Sequence, residues 1–252
     1  MEIKMKILIS GIGGRMGAEV KKMVLDGYRA SELCAGYDVN EVVAECPVYT
    51  NWADVKETPD CIIDFSHHAG TAALLEFACE RKIPVVLATT GHDETEKGYI
   101  DSAAKKIPLF HSANMSLGVA LLCELAKTAA KTFPDADIEI IEKHHNRKLD
   151  APSGTALLLA KSIQSIREKA FFTFGRQGHA KRMPGEIGIH AVRMGNIVGE
   201  HEVIVGNDTQ TITLKHEAHS RSLFAEGAIA AADFIKDKGA GLYDMYSMIG
   251  AE

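Results

Sequence analysis

The chain has 252 residues, enough for one large domain or two small ones, and 46% of them are hydrophobic, enough to bury a core. Against 28 Lys+Arg stand 34 Asp+Glu, a formal net charge of -6, which argues against nucleic acid or an anionic membrane as a partner held by general electrostatics. An anionic ligand has to be bound by local design. No apolar run approaches the ~18 residues of a membrane span, and the run Ile7 to Ser10 is too short for a secretory signal. The expectation is a soluble, cytoplasmic protein.

In chain order, Lys6 to Ser10 reads as a strand ending at a glycine cluster, and Met16 to Asp26 carries apolar residues at helical spacing. Further strand-like runs fall at Leu33 to Tyr37, Cys61 to Phe65, Val85 to Ala88 and Leu109 to Phe110. Helices over Thr71 to Arg81 and Glu94 to Lys106 separate them. Repeated alternation with near-continuous apolar strands predicts an α/β unit with a parallel sheet covered on both faces.

After about Asn114 the pattern changes. A helix over Leu117 to Lys131 leads to a strand over Ile138 to Glu142, a polar loop, and a helix from about Thr155. Beyond a loop at Gly175 to Gly185, strands are expected at Ile187 to Arg193, His201 to Val205 and Thr211 to His216. This half reads as an α+β unit with a mixed or antiparallel sheet. An alanine-rich helix over Arg221 to Asp237 is expected to return to the first unit. The resulting division is 1–114 with 221–252, and 115–220. The five cysteines are unclustered, without a C-x-x-C pair, and read as buried thiols of a reducing compartment.

Gly11-Ile12-Gly13-Gly14-Arg15-Met16-Gly17 lies between the first strand and the first helix, where glycines admit a pyrophosphate to the backbone. The match to G-x-G-x-x-G is imperfect, because position 16 is Met and the last glycine falls one residue late. Asp38, about 20 residues on, ends the second strand, where a carboxylate can accept both ribose hydroxyls of NAD. A 2′-phosphate there would meet that charge with only Arg15, Lys4 or Lys6 to offset it, which favours NADH over NADPH. Thr89-Thr90-Gly91 and Ser112-Ala113-Asn114-Met115 lie at carboxyl ends of predicted strands, where open α/β sheets bind ligands. Their residue types suit a nicotinamide and its ribose, and ordinary loop chemistry explains them equally well.

The stretch Glu142 to Ala156 holds His144, His145, Arg147 and Lys148, then Pro152-Ser153-Gly154-Thr155 at a helix opening. Backbone N–H groups there, with the Ser153 and Thr155 hydroxyls, can hold a carboxylate, and Lys148 can add a point charge. A histidine beside a cation suits proton delivery near neutral pH. Zinc is disfavoured: the loop is cationic, and neither H-E-x-x-H nor a Cys/His spacing accompanies the pair. Two rival readings fit less well. A dehydrogenase working through a cysteine lacks a thiol near the histidines, and a nucleotide-sensing module without turnover does not account for the acid/base-rich loop.

At this loop the chain resembles the dihydrodipicolinate reductase (4-hydroxy-tetrahydrodipicolinate reductase) family, whose E-x-H-H-x-x-K-x-D-A-P-S-G-T-A signature is matched from Glu142 to Ala156. The likeness extends through Asp64-Phe65-Ser66, Asn114 to Val119, Glu186 to Ala191, Ile197 to His201 and Phe224 to Ala228. It implies a Rossmann-like dinucleotide domain plus a substrate-binding and tetramerisation domain. It implies reduction by NADH or NADPH of 4-hydroxy-tetrahydrodipicolinate, a small dicarboxylate, or of its dehydrated form, in diaminopimelate and lysine biosynthesis. By the same resemblance Gly11, Ile12, Gly13, Gly14, Arg15, Met16, Asp38, Ala88, Thr89, Thr90, Ser112, Ala113, Asn114 and Met115 contact the cofactor. His144 and Lys148 are catalytic, and His145, Gly154 and Thr155 contact substrate; Ser153 is expected to join them as part of the helix opening. No metal is implied. A cytoplasmic homotetramer is implied. Where the family commonly has R-G-G-D, this chain has Arg193-Met194-Gly195-Asn196, and Val39 follows Asp38 where some members carry a basic residue.

Overall fold

The computed structural model describes residues 4–250. Residues 1–3 and 251–252, the two ends of the first expected domain, lie outside the described residues. The chain divides into two compact units, one made of residues up to Ser116 and from Ser222 onward, the other of Leu117–Arg221.

In the first unit, β1 (Met5–Ser10), α1 (Arg15–Leu25), β2 (Ser31–Tyr37), β3 (Val48–Tyr49), β4 (Cys61–Asp64), α2 (Thr71–Arg81), β5 (Val85–Leu87), α3 (Glu94–Ala104) and β6 (Pro108–His111) follow in sequence. The strands form one sheet in the order β12-β6-β5-β4-β1-β2-β3, where β12 is Gly241–Tyr243. Every pairing is parallel. The order reverses between β1 and β4, so a crevice opens at their carboxyl ends, as doubly wound sheets require.

Ile7, Leu8, Ile9, Ile62, Ile63, Val85, Val86 and Leu87 have no exposed surface, which explains strands that read as unbroken apolar runs. On one face Leu8, Ile62, Val85 and Leu109 pack against Leu74, Phe77, Ile100 and Trp52. The other face is covered by α1 and the returning helix α6 (Ser222–Ile235), which packs on α1, β4, β5 and β6. Alanines keep α6 thin enough to be enclosed: Ala225, Ala228, Ala230, Ala231 and Ala232 are all buried. A methyl on Gly227 would lie 1.7 Å from the Met115 carbonyl oxygen, so only glycine fits there. Helix α7 (Met245–Ile249) follows β12.

The second unit contains α4 (Leu117–Thr132), β7 (Asp137–His144), α5 (Gly154–Gln164), β8 (Phe171–Phe174), β9 (Glu186–Arg193), β10 (Gly199–Gly206) and β11 (Thr211–Ala218). Its sheet runs β11-β10-β7-β9-β8. Strand β10 is antiparallel to both neighbours, while β7, β9 and β8 are mutually parallel, giving the mixed sheet that was expected. Helices α4 and α5 pack together and on this sheet. Alternation along β7 turns Ile138, Ile140, Glu142 and His144 to the buried side.

Several readings need correction. The strand expected to end at Glu142 continues to His144; its inward positions carry a carboxylate and an imidazole, which masked the alternation. Strands β3 and β12 are too short to show a period, and so is the four-residue aromatic edge strand β8 that precedes the loop at Gly175. Cys61 and Cys123 are buried, but Cys34, Cys46 and Cys79 are only half-buried; none of the five is in a disulfide.

Candidate active site

In the first unit β1 delivers the chain to Gly11, whose φ of +77° and whose contact with the Phe65 carbonyl, 2.6 Å from an added methyl, both demand glycine. The Gly11 N–H donates to the Tyr37 carbonyl at 2.8 Å and the Gly14 N–H to the Gly11 carbonyl at 2.9 Å, closing the turn. A methyl on Gly17 would lie 2.1 Å from the Gly11 carbonyl oxygen. The glycine that looked one residue late thus performs the close helix-to-turn packing of the third motif glycine. No side chain caps the N-terminus of α1 at Gly14, and Gly13, Gly14 and Arg15 are exposed, so the helix opening is available to an anion. Ile12 is 2% exposed and packs against Gly36, where an added methyl would lie 2.6 Å from its Cδ1; Met16 is half-buried.

Asp38 sits immediately after β2. Its Oδ2 accepts from the Gly13 N–H at 3.0 Å and its Oδ1 from the Asn40 N–H at 3.1 Å. The carboxylate therefore ties the glycine turn to the end of the second strand. Glycines that a Cβ would fill, an uncapped helix start and this carboxylate together fit a nicotinamide dinucleotide.

At the end of β4, Asp64 is fully buried, accepting from the Thr89 hydroxyl at 2.5 Å and the Ser66 hydroxyl at 2.6 Å. Burial pushes its carboxyl upward, opposed by these hydrogen bonds. Thr89 is thus buried and spoken for, Ala88 donates its N–H to the Asp64 carbonyl at 3.0 Å, and Thr90 is exposed. Ser112 and Asn114 organise their own loop: the Ser112 hydroxyl donates to the Asn114 carbonyl at 2.8 Å, and Asn114 Oδ1 accepts from the Ser116 N–H at 3.0 Å. Ala113 is exposed and Met115 buried. Sequence reasoning assigned no role to His67, His68, His92 and His111, which gather around these strand ends. His68 Nδ1 lies 2.8 Å from Glu96, and His92 Nε2 3.0 Å from the Thr71 hydroxyl.

In the second unit, Glu142 has no exposed surface. Its Oε2 lies 2.6 Å from His144 Nδ1 and accepts from Arg193 Nη1 at 2.8 Å; its Oε1 accepts from Arg193 Nη2 at 2.7 Å and from the Ser153 N–H at 3.0 Å. Burial works against the charge on Glu142, but the hydrogen bonds from His144, Arg193 and Ser153 outweigh it and hold the carboxyl down at about 2. His144, 8% exposed, lies edge-on to His201 with ring centroids 5.2 Å apart. Burial pushes His201 down to about 4, so it is neutral; its Nε2 lies 3.1 Å from the Ser153 hydroxyl.

Ser153 is the N-cap of α5, its Oγ accepting from the Ala156 N–H at 3.2 Å. At 2% exposure it shapes the helix opening from beneath, while Gly154 is exposed and Thr155 half-buried at the first two helical positions. Lys148 is ion-paired with Asp150 at 2.9 Å. His145 is half-buried and is pushed down by desolvation and by the charges of Arg147, Arg221, His144 and Lys148. The divergent turn is docked on this loop: the Met194 N–H donates to the His144 carbonyl at 2.9 Å and Arg147 Nη2 to Asn196 at 2.8 Å. Glu142, Arg193, Gly199 and His201 entered the sequence reading only as motif letters, without roles. Among the described residues, no group of three or more His, Cys, Asp or Glu side chains is arranged to hold a metal ion, and no helix is long and apolar enough to cross a membrane.

A doubly wound unit with this glycine turn, in one chain with a unit carrying a buried Glu-His pair at a helix opening, defines an oxidoreductase that uses a nicotinamide nucleotide. The family described as "Dihydrodipicolinate reductase, N-terminus" matches residues 5–115, and that described as "Dihydrodipicolinate reductase, C-terminus" matches residues 118–249. The chain belongs to the dihydrodipicolinate reductase family, NAD(P)H-dependent oxidoreductases of lysine and diaminopimelate biosynthesis. It is 47% identical to the 4-hydroxy-tetrahydrodipicolinate reductase of Caldanaerobacter subterraneus subsp. tengcongensis, over 97% of this chain and 98% of that one. It is 41% identical to the protein of that name from Clostridium tetani, over 99% and 98%. The solved dipicolinate-bound dihydrodipicolinate reductase from Paenisporosarcina sp. TG-14 superposes with a TM-score of 0.83 at 26% identity, covering 98% of this chain and all of that one.

Proposed function

We propose that the protein reduces 4-hydroxy-tetrahydrodipicolinate, or its dehydrated form dihydrodipicolinate, to tetrahydrodipicolinate. The observation that carries this reading is the buried Glu142-His144 pair beside the α5 opening, within a signature matched from Glu142 to Ala156. When bound, the nicotinamide supplies the hydride. Gly11 to Met16 hold its pyrophosphate and Asp38 its ribose; Ala88 to Thr90 and Ser112 to Met115 flank its nicotinamide end.

Backbone N–H groups at Gly154 and Thr155 grip a substrate carboxylate, with Ser153 fixing the geometry of that opening. Lys148 leaves Asp150 to pair with the same anion, and His145 supports the polar side of the substrate. His144 exchanges the proton that accompanies reduction. The Asp38 carboxylate favours NADH, because a 2′-phosphate would be repelled there. The family likeness further supports a cytoplasmic homotetramer associating through the sheet of the second unit.

The test is reduction of freshly prepared 4-hydroxy-tetrahydrodipicolinate with NADH and NADPH at equal concentration, followed by cofactor absorbance. Turnover with NADH the better donor is expected; no turnover with either overturns the assignment. Light scattering tests the tetramer.

A further inference from the structure

Every acceptor position of Glu142 is taken by a donor. Oε1 receives Arg193 Nη2 and the Ser153 N–H; Oε2 receives Arg193 Nη1 and faces His144 Nδ1 at 2.6 Å. An ionised carboxylate can only accept, so the hydrogen between Glu142 and His144 belongs to Nδ1. The other ring nitrogen, Nε2, lies beside Gly199, whose missing side chain leaves it room: a methyl there would be 3.1 Å away.

We infer that Glu142 is the positioning residue of this site, one buried carboxylate that fixes His144 in its Nδ1–H form and, through the Ser153 N–H, fixes the start of α5. Nε2 is then the atom that gains and loses the transferred proton. Arg193 supplies the counter-charge and, through its bond to the Asp150 carbonyl at 2.5 Å, ties the Lys148-Asp150 loop to the same carboxylate. Proton donor and carboxylate grip are registered to each other by Glu142. This rests on the reading of His144 as the proton-transfer residue.

The charged and titratable groups around His144 come from each neighbouring element: Glu142 on β7, Arg193 on β9, His201 on β10 with His216 behind it on β11, and His145, Arg147, Lys148 and Asp150 in the loop. Glu142 is the anion in contact with the ring, and Arg193 the cation that shares it.

The test uses ¹⁵N-histidine-labelled full-length protein, with the His144 resonances assigned by their loss in His144→Gln. In the unmodified protein the neutral ring is expected to show Nδ1 protonated and Nε2 bare. In Glu142→Gln that preference is lost, and kcat falls about 10-fold or more while the KM for cofactor stays within about twofold. In Arg193→Met, where the Glu142 carboxylate is kept, the Nδ1–H form persists. An unchanged tautomer in Glu142→Gln overturns the inference. Should that variant fail to fold, an unmodified protein whose neutral His144 carries its proton on Nε2 overturns it equally. Near-normal turnover in His144→Gln would instead remove the catalytic role of His144 and leave the spectroscopic result standing.

Discussion

Gly199 lies across the strand pair from His144, and an added methyl would come within 3.1 Å of Nε2. The position works as a gap cut for one imidazole edge. Gly199→Ala should crowd that nitrogen by a few tenths of an ångström and cost about 10-fold in kcat, since sub-ångström misplacement of a reacting group is expensive. Thermal unfolding and steady-state kinetics on the same preparation check it; unchanged kcat would mean that Nε2 is not the working atom.

Gly17→Ala places a methyl 2.1 Å from a backbone oxygen of the glycine turn, where no flexible side chain can yield. The expected result is a destabilisation of about 1–3 kcal/mol, with NADH binding weakened about 10-fold or more as the turn is pushed out. Fluorescence titration with NADH and urea unfolding measure both quantities.

Lys148→Met removes a cation whose partner Asp150 is largely exposed, so the lost ion pair should change stability by less than about 1 kcal/mol. The substrate should notice far more. A rise of about 10-fold or more in the KM for the dicarboxylate, together with a fall in kcat, is expected if Lys148 meets the bound anion. A normal KM would place that anion elsewhere.

His201 is held neutral, with its folded value depressed from 6.5 to about 4 by burial. The unfolded chain therefore takes up a proton at this residue before the folded one does. Its contribution to stability is complete above pH 6.5 and is lost as the pH falls toward 4. Glu142, depressed from 4.5 to about 2, loses its contribution in the next window down. His201→Gln should reduce the loss of stability between pH 7 and pH 4 by roughly 2–3 kcal/mol, read from urea unfolding at both pH values. An identical pH dependence in the variant would refute the buried neutral imidazole.

The parallel sheet, its glycine turn and Asp38 were legible because each is local: a strand, a turn and a carboxylate succeed one another within about 30 residues. The helix opening at Ser153 to Thr155 was legible for the same reason, through cap chemistry alone. What sequence could not supply was the pairing that crosses the sheet. Arg193 meets Glu142 from 51 residues away, and His201 meets Ser153 from 48, through a register that no short window contains. Local patterning even misled at β7, where polar inward residues made a strand look finished two residues early. The glycine at position 17 shows the opposite failure, an irregular spacing judged by motif that becomes regular once its contact with Gly11 is known.

Helix α6 completes the first unit although it follows the whole of Leu117–Arg221 in the chain. During vectorial synthesis the strands β1 to β6 leave the ribosome long before the helix that shields one side of them. The intervening unit is contiguous and can fold as it emerges, because domains fold as units. The nucleotide-binding half is thus the first to be made and the last to be finished, and a chain stalled or truncated before Ser222 would carry an intact second unit and a first sheet whose α1 face is left uncovered over β4, β5 and β6.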